Sequence, residues 1–280
     1  MTASTVSVRH GLVTQTEPSA GRRPLRHRRL NLLITASTFL GVLIAWEVGV
    51  RAGGLNELVV GSPTGIASAA WENVPDGRFW HHVRVSGFEF GIGFAAAVVI
   101  GIPLGLAAGW YRRIGYMISP WLDAFNAVPR IALLPLVIIW LGIGTQSKIM
   151  LVFLSAVGLI TFNTFLGVRT VPPILLDVGR AFQIKPLRRF RMIVFPATIP
   201  FIVAGLRNAL GAAVIGVIFA ESYGATEGLG FLMQASAQRL DIDRYFFVVA
   251  VFTGFGALCF WILGHLERAF RARLAVAEDN

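Results

Sequence analysis

The residues able to do chemistry in this sequence are few, and most of them are cations. Asp177 to Pro200 reads DVGRAFQIKPLRRFRMIVFPATIP, with Arg180, Lys185, Arg188, Arg189 and Arg191 against one acid, Asp177. Apolar Val178, Ala181, Phe182, Leu187, Phe190, Ile193 and Val194 alternate with these cations at helical spacing. Such a pattern presents one face to water and needs an apolar surface, lipid or protein, for the other. Arg130 and Arg207 stand within apolar runs, where an ionisable group faces a partner or a wet cavity. Beside Pro129, Arg130 is placed as a pathway-lining group that favours an anion or as one half of a salt bridge. Arg207 is placed as a pathway group or as a side chain that snorkels to the interface. Glu221 closes another apolar run, where it packs an outer loop or forms an outer gate. Asp123 and Glu89, near the ends of runs, read as interfacial. His81 and His82 point apart on a helix and have no Cys, Asp or further His at ligand spacing. They read as an interfacial pair, and no metal site is expected. No serine–histidine–aspartate spacing occurs, and the chain has no G-x-x-x-x-G-K-[ST] loop and only two lysines, Lys148 and Lys185. An enzyme is not expected.

The elements that position these residues follow from composition. The 280 residues are 55% hydrophobic and 14% charged, with mean hydropathy +0.67. A soluble domain carries about a quarter charged residues. Apolar runs of about twenty residues, the length of a membrane-crossing helix, recur along the chain. The fold class is therefore an all-α membrane protein, with six transmembrane helices expected near 31–50, 86–109, 121–141, 147–168, 196–220 and 245–266. Pro129 and Pro135 divide the third into two short pieces or one interrupted rod. Residues 1–30 read as a disordered basic cytoplasmic tail, 31–268 as the transmembrane domain with a loop at about 169–195, and 269–280 as a cytoplasmic C-terminal tail. The first apolar run has no small-x-small cleavage site and reads as a retained helix rather than a signal peptide. Seventeen of the 25 Lys and Arg residues fall on the side of the 169–195 loop, six on the other, and Arg130 and Arg207 within spans. The positive-inside rule puts that loop and both termini in the cytoplasm, and the basic charge is explained by topology rather than by nucleic acid. Between 55 and 84, a short interfacial helix is expected at 63–73, capped by Ser62, with Trp71 at headgroup level. Small residues at four-residue spacing, Gly93, Ala97, Gly101, Gly105 and Gly109, let another helix approach closely. That helix lies within the bundle or at a subunit or gate interface. Cys259 stands alone, so no internal disulfide is possible.

The 177–200 segment, continuing through FIVAGLRNALGAAVIGVIFAE, resembles the cytoplasmic loop that marks ABC-importer permease subunits. AVPRIALLPLVIIWLGIGTQSKIMLV (Ala127 to Val152) and GLGFLMQASAQ (Gly228 to Gln238) resemble the nitrate, sulfonate and taurine branch. The resemblance covers about residues 40–270. It implies a type I importer fold and two permease subunits, expected here as a homodimer in the bacterial cytoplasmic membrane. It also implies a cytosolic ATP-binding subunit gripping a short coupling helix, and an extracytoplasmic substrate-binding protein. ATP and Mg would be used by the partner ATPase, with no cofactor on this chain. The coupling-loop residues it implies are Asp177, Gly179, Arg180, Ala181, Gln183, Lys185, Arg188 and Arg189. Glu221 matches a glutamate common after the fifth helix of this family, and Arg130, Arg207 and Glu221 are the pathway candidates. The family's Glu-Ala-Ala is here Asp177-Val178-Gly179, and its later glycine is Gln183. Because Gln does not adopt φ > 0 cheaply, the turn is expected to shift towards Lys185-Pro186. The substrate expected is an alkanesulfonate or taurine, with nitrate, bicarbonate or a pyrimidine precursor as alternatives. A secondary transporter of a small anion is the rival class.

Overall fold

The structure, a computed structural model, describes residues 25–223 and 225–278, with side chains for 33–56, 59–223 and 225–268. The helices described are α1 (Leu25–Arg51), α2 (Glu57–Val60), α3 (Pro63–Asn73), α4 (Gly77–Trp110), α5 (Arg112–Ala127), α6 (Leu134–Leu141), α7 (Thr145–Arg169), α8 (Pro173–Ala181), α9 (Pro186–Arg189), α10 (Phe195–Ser222), α11 (Leu229–Gln238) and α12 (Ile242–Glu278). A 3-10 turn, Arg130–Leu133, leads into α6, and a π turn, Phe190–Val194, leads into α10. No strand occurs among the described residues. The chain divides into two units, Met1–Val48 and Gly49–Asn280.

Among the described residues five helices are long and apolar enough to cross a membrane, and a sixth crossing results if the bent pair 112–127 and 130–141 counts as one. That pair turns by 93°, so the third span is two pieces. Pro129 explains the break, since proline disfavours helix in the residue before it, and Val128 is extended (ψ 128°). Pro135 instead sits in the first turn of α6, where its missing N–H costs nothing.

Three boundaries differ from expectation. α4 begins at Gly77 rather than 86 because Asp76 caps it, its carboxylate accepting from Arg78 N at 2.9 Å. α12 runs on to Glu278, so most of the stretch expected as a C-terminal tail is helical in its backbone. α1 starts at Leu25, and the remainder of the expected N-terminal tail lies outside the described residues. The short helix at 63–73 is α3, and Ser62 Oγ accepts from Gly65 N at 3.0 Å.

The core is built from α4, α7 and α10, packed backbone to backbone. Among lipid tails apolar contact gives helices little drive to associate, so small residues that admit close approach carry the packing. A Cβ on Gly93 would lie 2.7 Å from Ile149 O, and one on Gly105 would lie 2.6 Å from Thr161 O. Gly101 meets Ile160 and Gly109 meets Val168. The small-residue stripe is thus packed inside the bundle, against α7. On the other side of α7, Gly167 meets Phe201, Gly205 meets Asn163 and Gly216 meets Ser155. Ala97, Val152, Ala156, Ile160, Ala209, Ala213 and Val217 fill the seams between these helices and are fully buried.

This packing predicts that Gly105→Val, which must push α7 away, costs about 2 kcal/mol. Gly91→Ala on the same helix, where an added Cβ meets nothing within 4 Å, should stay within about 0.5 kcal/mol of the parent. Unfolding of the purified variants in mild detergent measures both.

Candidate functional site

Close packing of the three core helices brings polar residues together at the end where α10 stops and α7 begins. Glu221, in the last turn of α10, is almost fully buried, and each carboxylate oxygen accepts a short hydrogen bond. Ser86 Oγ of α4 donates to Oε1 at 2.6 Å and Gly230 N donates to Oε2 at 2.6 Å. Ser86 Oγ in turn accepts from Leu229 N at 2.8 Å, and His82 Nδ1 accepts from Gly228 N at 3.0 Å. The α10–α11 loop is therefore pinned by its own backbone N–H groups to α4 and α10. The Gly-Leu-Gly sequence suits this path. Gly228 has φ +116°, and a Cβ there would run into the Glu221 carboxyl group. One on Gly230 would sit 2.7 Å from Ile218 O. Beside the loop, Lys148 Nζ donates to Glu89 Oε1 at 2.7 Å and to Glu227 O at 3.4 Å. Glu89 is fully buried and Lys148 is 7% exposed. Outside this pair, His81 Nε2 lies 3.0 Å from Glu227 Oε2.

Glu221 was legible as a candidate; Glu89 and Lys148 were not. An apolar run that begins at 86 puts Glu89 one turn from a helix end, which reads as interfacial. With α4 starting at Gly77, Glu89 lies well inside the helix and meets Lys148 from the first turn of α7. The available signal was one acid and one lysine, each in an apolar run, since such charges are found paired. Both histidines are engaged with the α10–α11 loop, and no group of three metal-ligating side chains occurs among the described residues.

The pathway candidates do not converge. Arg207 Nη2 pairs with Glu267 Oε2 of α12 at 2.8 Å, and Arg207 and Glu221 lie about 21 Å apart along α10 at 1.5 Å per residue. Arg130, half-buried in the 3-10 turn after Pro129, donates from Nη2 to Asn126 Oδ1 at 2.8 Å and makes no ion pair among the described residues.

At the opposite end, between α7 and α10, the basic segment forms α8 and α9. α8 closes with Gln183 N donating to Arg180 O at 2.8 Å and Ile184 N to Gly179 O at 3.0 Å. This is the paired bonding of a left-handed helix C-terminus, and Gln183 itself takes φ +55°. The expected shift of the turn towards Lys185-Pro186 is thus corrected. Two otherwise orphaned carbonyls gain partners, which offsets the cost of about 1–2 kcal/mol of a left-handed non-glycine residue. Lys185 is extended and Pro186 opens α9. Gly179 is buried against Arg189, whose Cδ would lie 3.0 Å from an added Cβ. Arg180 Nη1 pairs with Asp177 Oδ1 at 2.7 Å on the exposed face, Arg188 Nε contacts Met192 Sδ at 3.3 Å, and Ala181 and Lys185 are exposed. Ile174, Val178 and Phe182, one turn apart, form an exposed apolar stripe along α8, with Phe182 77% exposed, and Leu187 of α9 is exposed as well.

Residues 101–272 match the family described as binding-protein-dependent transport system inner membrane component. The chain is 29% identical over 227 residues to the aliphatic sulfonates transport permease protein SsuC of Bacillus subtilis (strain 168), spanning 81% of this chain and 82% of that one. It is 31% identical over 229 residues to the SsuC protein of Escherichia coli (strain K12), spanning 81% and 87%. A chain of the MetNI methionine ABC transporter in inward facing conformations superposes with TM-score 0.54 at 20% identity, over 68% of this chain and 93% of that one. At that identity the likeness concerns the fold.

Two predictions follow from the geometry. Lys148→Met alone, which strands a buried carboxylate, should cost about 3–5 kcal/mol, and Lys148→Met with Glu89→Leu should recover most of that loss; a double-mutant cycle in detergent unfolding reads the coupling. Gln183→Gly should stabilise the chain by about 0.5–1 kcal/mol, and Gln183→Val should destabilise it, in the same assay.

Proposed function

The chain belongs to the binding-protein-dependent transport system inner membrane components, and on that premise we propose that it is the membrane-spanning subunit of an ATP-driven importer of small organic sulfonates. It is a multi-pass inner membrane permease of the ABC-importer class. The finer parts of the reading are a homodimeric pore, cytoplasmic termini and a cytoplasmic α8–α9 segment. A cytosolic ATPase supplies ATP hydrolysis with Mg, and this chain binds no cofactor of its own. A substrate-binding protein meets the end that carries Glu221. Alkanesulfonate or taurine is the substrate class favoured by the SsuC relatives; nitrate, bicarbonate or a pyrimidine precursor would leave the role unchanged.

The observation that carries this reading is the exposed stripe of Ile174, Val178 and Phe182 on α8. It lies among Arg180, Lys185 and Arg188, on the side that the positive-inside rule places in the cytosol. Phe182 in water is unfavourable, and covering a side chain of this size contributes about 1.5–3 kcal/mol. A groove on a cytosolic partner that takes a short amphipathic helix supplies that cover. α8 would be the coupling element, with Gly179 and Arg189 holding its inner face and the cations steering docking.

A second reading, a secondary transporter, draws on the buried Glu89 and Glu221, since carriers use intramembrane carboxylates for ion coupling. Here both are engaged in fixing helices and a loop, which favours the importer.

The docking surface is tested by Phe182→Glu. The tagged variant should insert and elute from gel filtration like the parent yet lose the ATP-binding protein that co-purifies with it. Retention of that protein at parental yield would remove α8 from the contact.

A further inference from the structure

Next to the Glu89–Lys148 pair lies a surface cavity of about 560 Å³, within the size range of small-molecule sites. One wall is polar and positive. Lys148 Nζ commits one hydrogen to Glu89 and one to Glu227 O, which leaves the third N–H of the ammonium group. Arg84 donates from Nε to Trp80 O at 3.4 Å and makes no ion pair among the described residues, so its two terminal nitrogens are uncommitted. Gly144 and Thr145, at the start of α7, complete this wall. Gly144 has no side chain to cap the helix, so the first turn of α7 keeps N–H groups without a side-chain cap at the positive end of the helix dipole. The opposite wall is apolar, from Val85, Phe88 and Ile143. Two acids also line the cavity: Glu89, buried and paired through Oε1 with Lys148, and the exposed Glu227, whose Oε2 lies 3.0 Å from His81 Nε2.

We propose that this cavity binds a small organic monoanion of the alkanesulfonate class. The sulfonate is held by Arg84, Lys148 and the first turn of α7, and the alkyl chain lies on Val85, Phe88 and Ile143. A planar guanidinium fork suits an oxyanion with several acceptor oxygens. One uncommitted guanidinium matches one negative charge, and the apolar wall disfavours a strongly hydrated dianion such as sulfate. The site sits beside the loop pinned by Glu221, where a solute would meet this chain before passing between helices. This assignment rests on the sulfonate reading above and adds the residues that select the solute.

The test is isothermal titration of the purified full-length chain in mild detergent with butanesulfonate, ethanesulfonate and sulfate. Butanesulfonate should bind more tightly than ethanesulfonate, and both more tightly than sulfate. Arg84→Gln should weaken butanesulfonate about tenfold or more, with Arg84→Lys between the two. Arg78→Gln removes the same charge outside the cavity and should leave binding unchanged. Absence of butanesulfonate binding, preference for sulfate, or equal losses in Arg84→Gln and Arg78→Gln would overturn the site. ATP-driven uptake by the assembled complex separates this from the wider reading. Sulfonate uptake whose KM ignores Arg84→Gln sinks the cavity and leaves the importer standing. Binding through Arg84 in a complex that imports no sulfonate does the reverse.

Discussion

Backbone-to-backbone contact of α4, α7 and α10 is the constraint on which the rest of the molecule depends. A lipid-facing protein gains little from burying one apolar surface against another, because the tails it displaces are equally apolar. What remains is dispersion between closely apposed atoms and a few polar contacts shielded from water. Gly93, Gly101, Gly105 and Gly109 bring α4 down onto α7, and Gly167, Gly205 and Gly216 do the same between α7 and α10. That closeness makes the 2.7 Å reach between Lys148 and Glu89 possible. It also makes α4 the platform from which Ser86 reaches Glu221.

The two ends of this core are built on opposite principles. At the Glu221 end both Glu221 carboxylate oxygens, a serine hydroxyl, a histidine nitrogen and three successive loop N–H groups are paired within the fold. At the α8–α9 end the backbone is equally well paired, through the left-handed closure at Gln183, but an apolar stripe is left uncovered. One end is thus closed upon itself, while the other keeps apolar surface exposed.

Local chemistry was legible in the sequence wherever one residue decided the outcome. Ser62 caps its helix, Pro129 breaks the third span, and the five long apolar helices follow from runs of apolar residues. Contacts between distant segments were not legible. The glycine stripe announced a close neighbour without saying which of five helices it was. Glu89 was misplaced because a single cap, Asp76, lengthens α4 by more than two turns and moves that carboxylate from an apparent helix end into the protein. Arg207 reads as a pathway or snorkelling group because its partner, Glu267, stands 60 residues away, just past the expected end of the last apolar run. Gln183 shows the limit of a residue rule. The left-handed penalty is real, but two backbone hydrogen bonds outweigh it, and only the folded chain reveals them.

The measurement that bears most directly on the account is solute uptake into proteoliposomes containing this chain with its ATP-binding subunit and its binding protein. Radiolabelled butanesulfonate should accumulate only when ATP, the ATPase and the binding protein are all present. A protonophore that collapses the proton gradient should leave that accumulation intact. Uptake by the lone chain, driven by an imposed proton gradient and abolished by the protonophore, would contradict the account and make the buried carboxylates Glu89 and Glu221 the coupling groups of a secondary transporter.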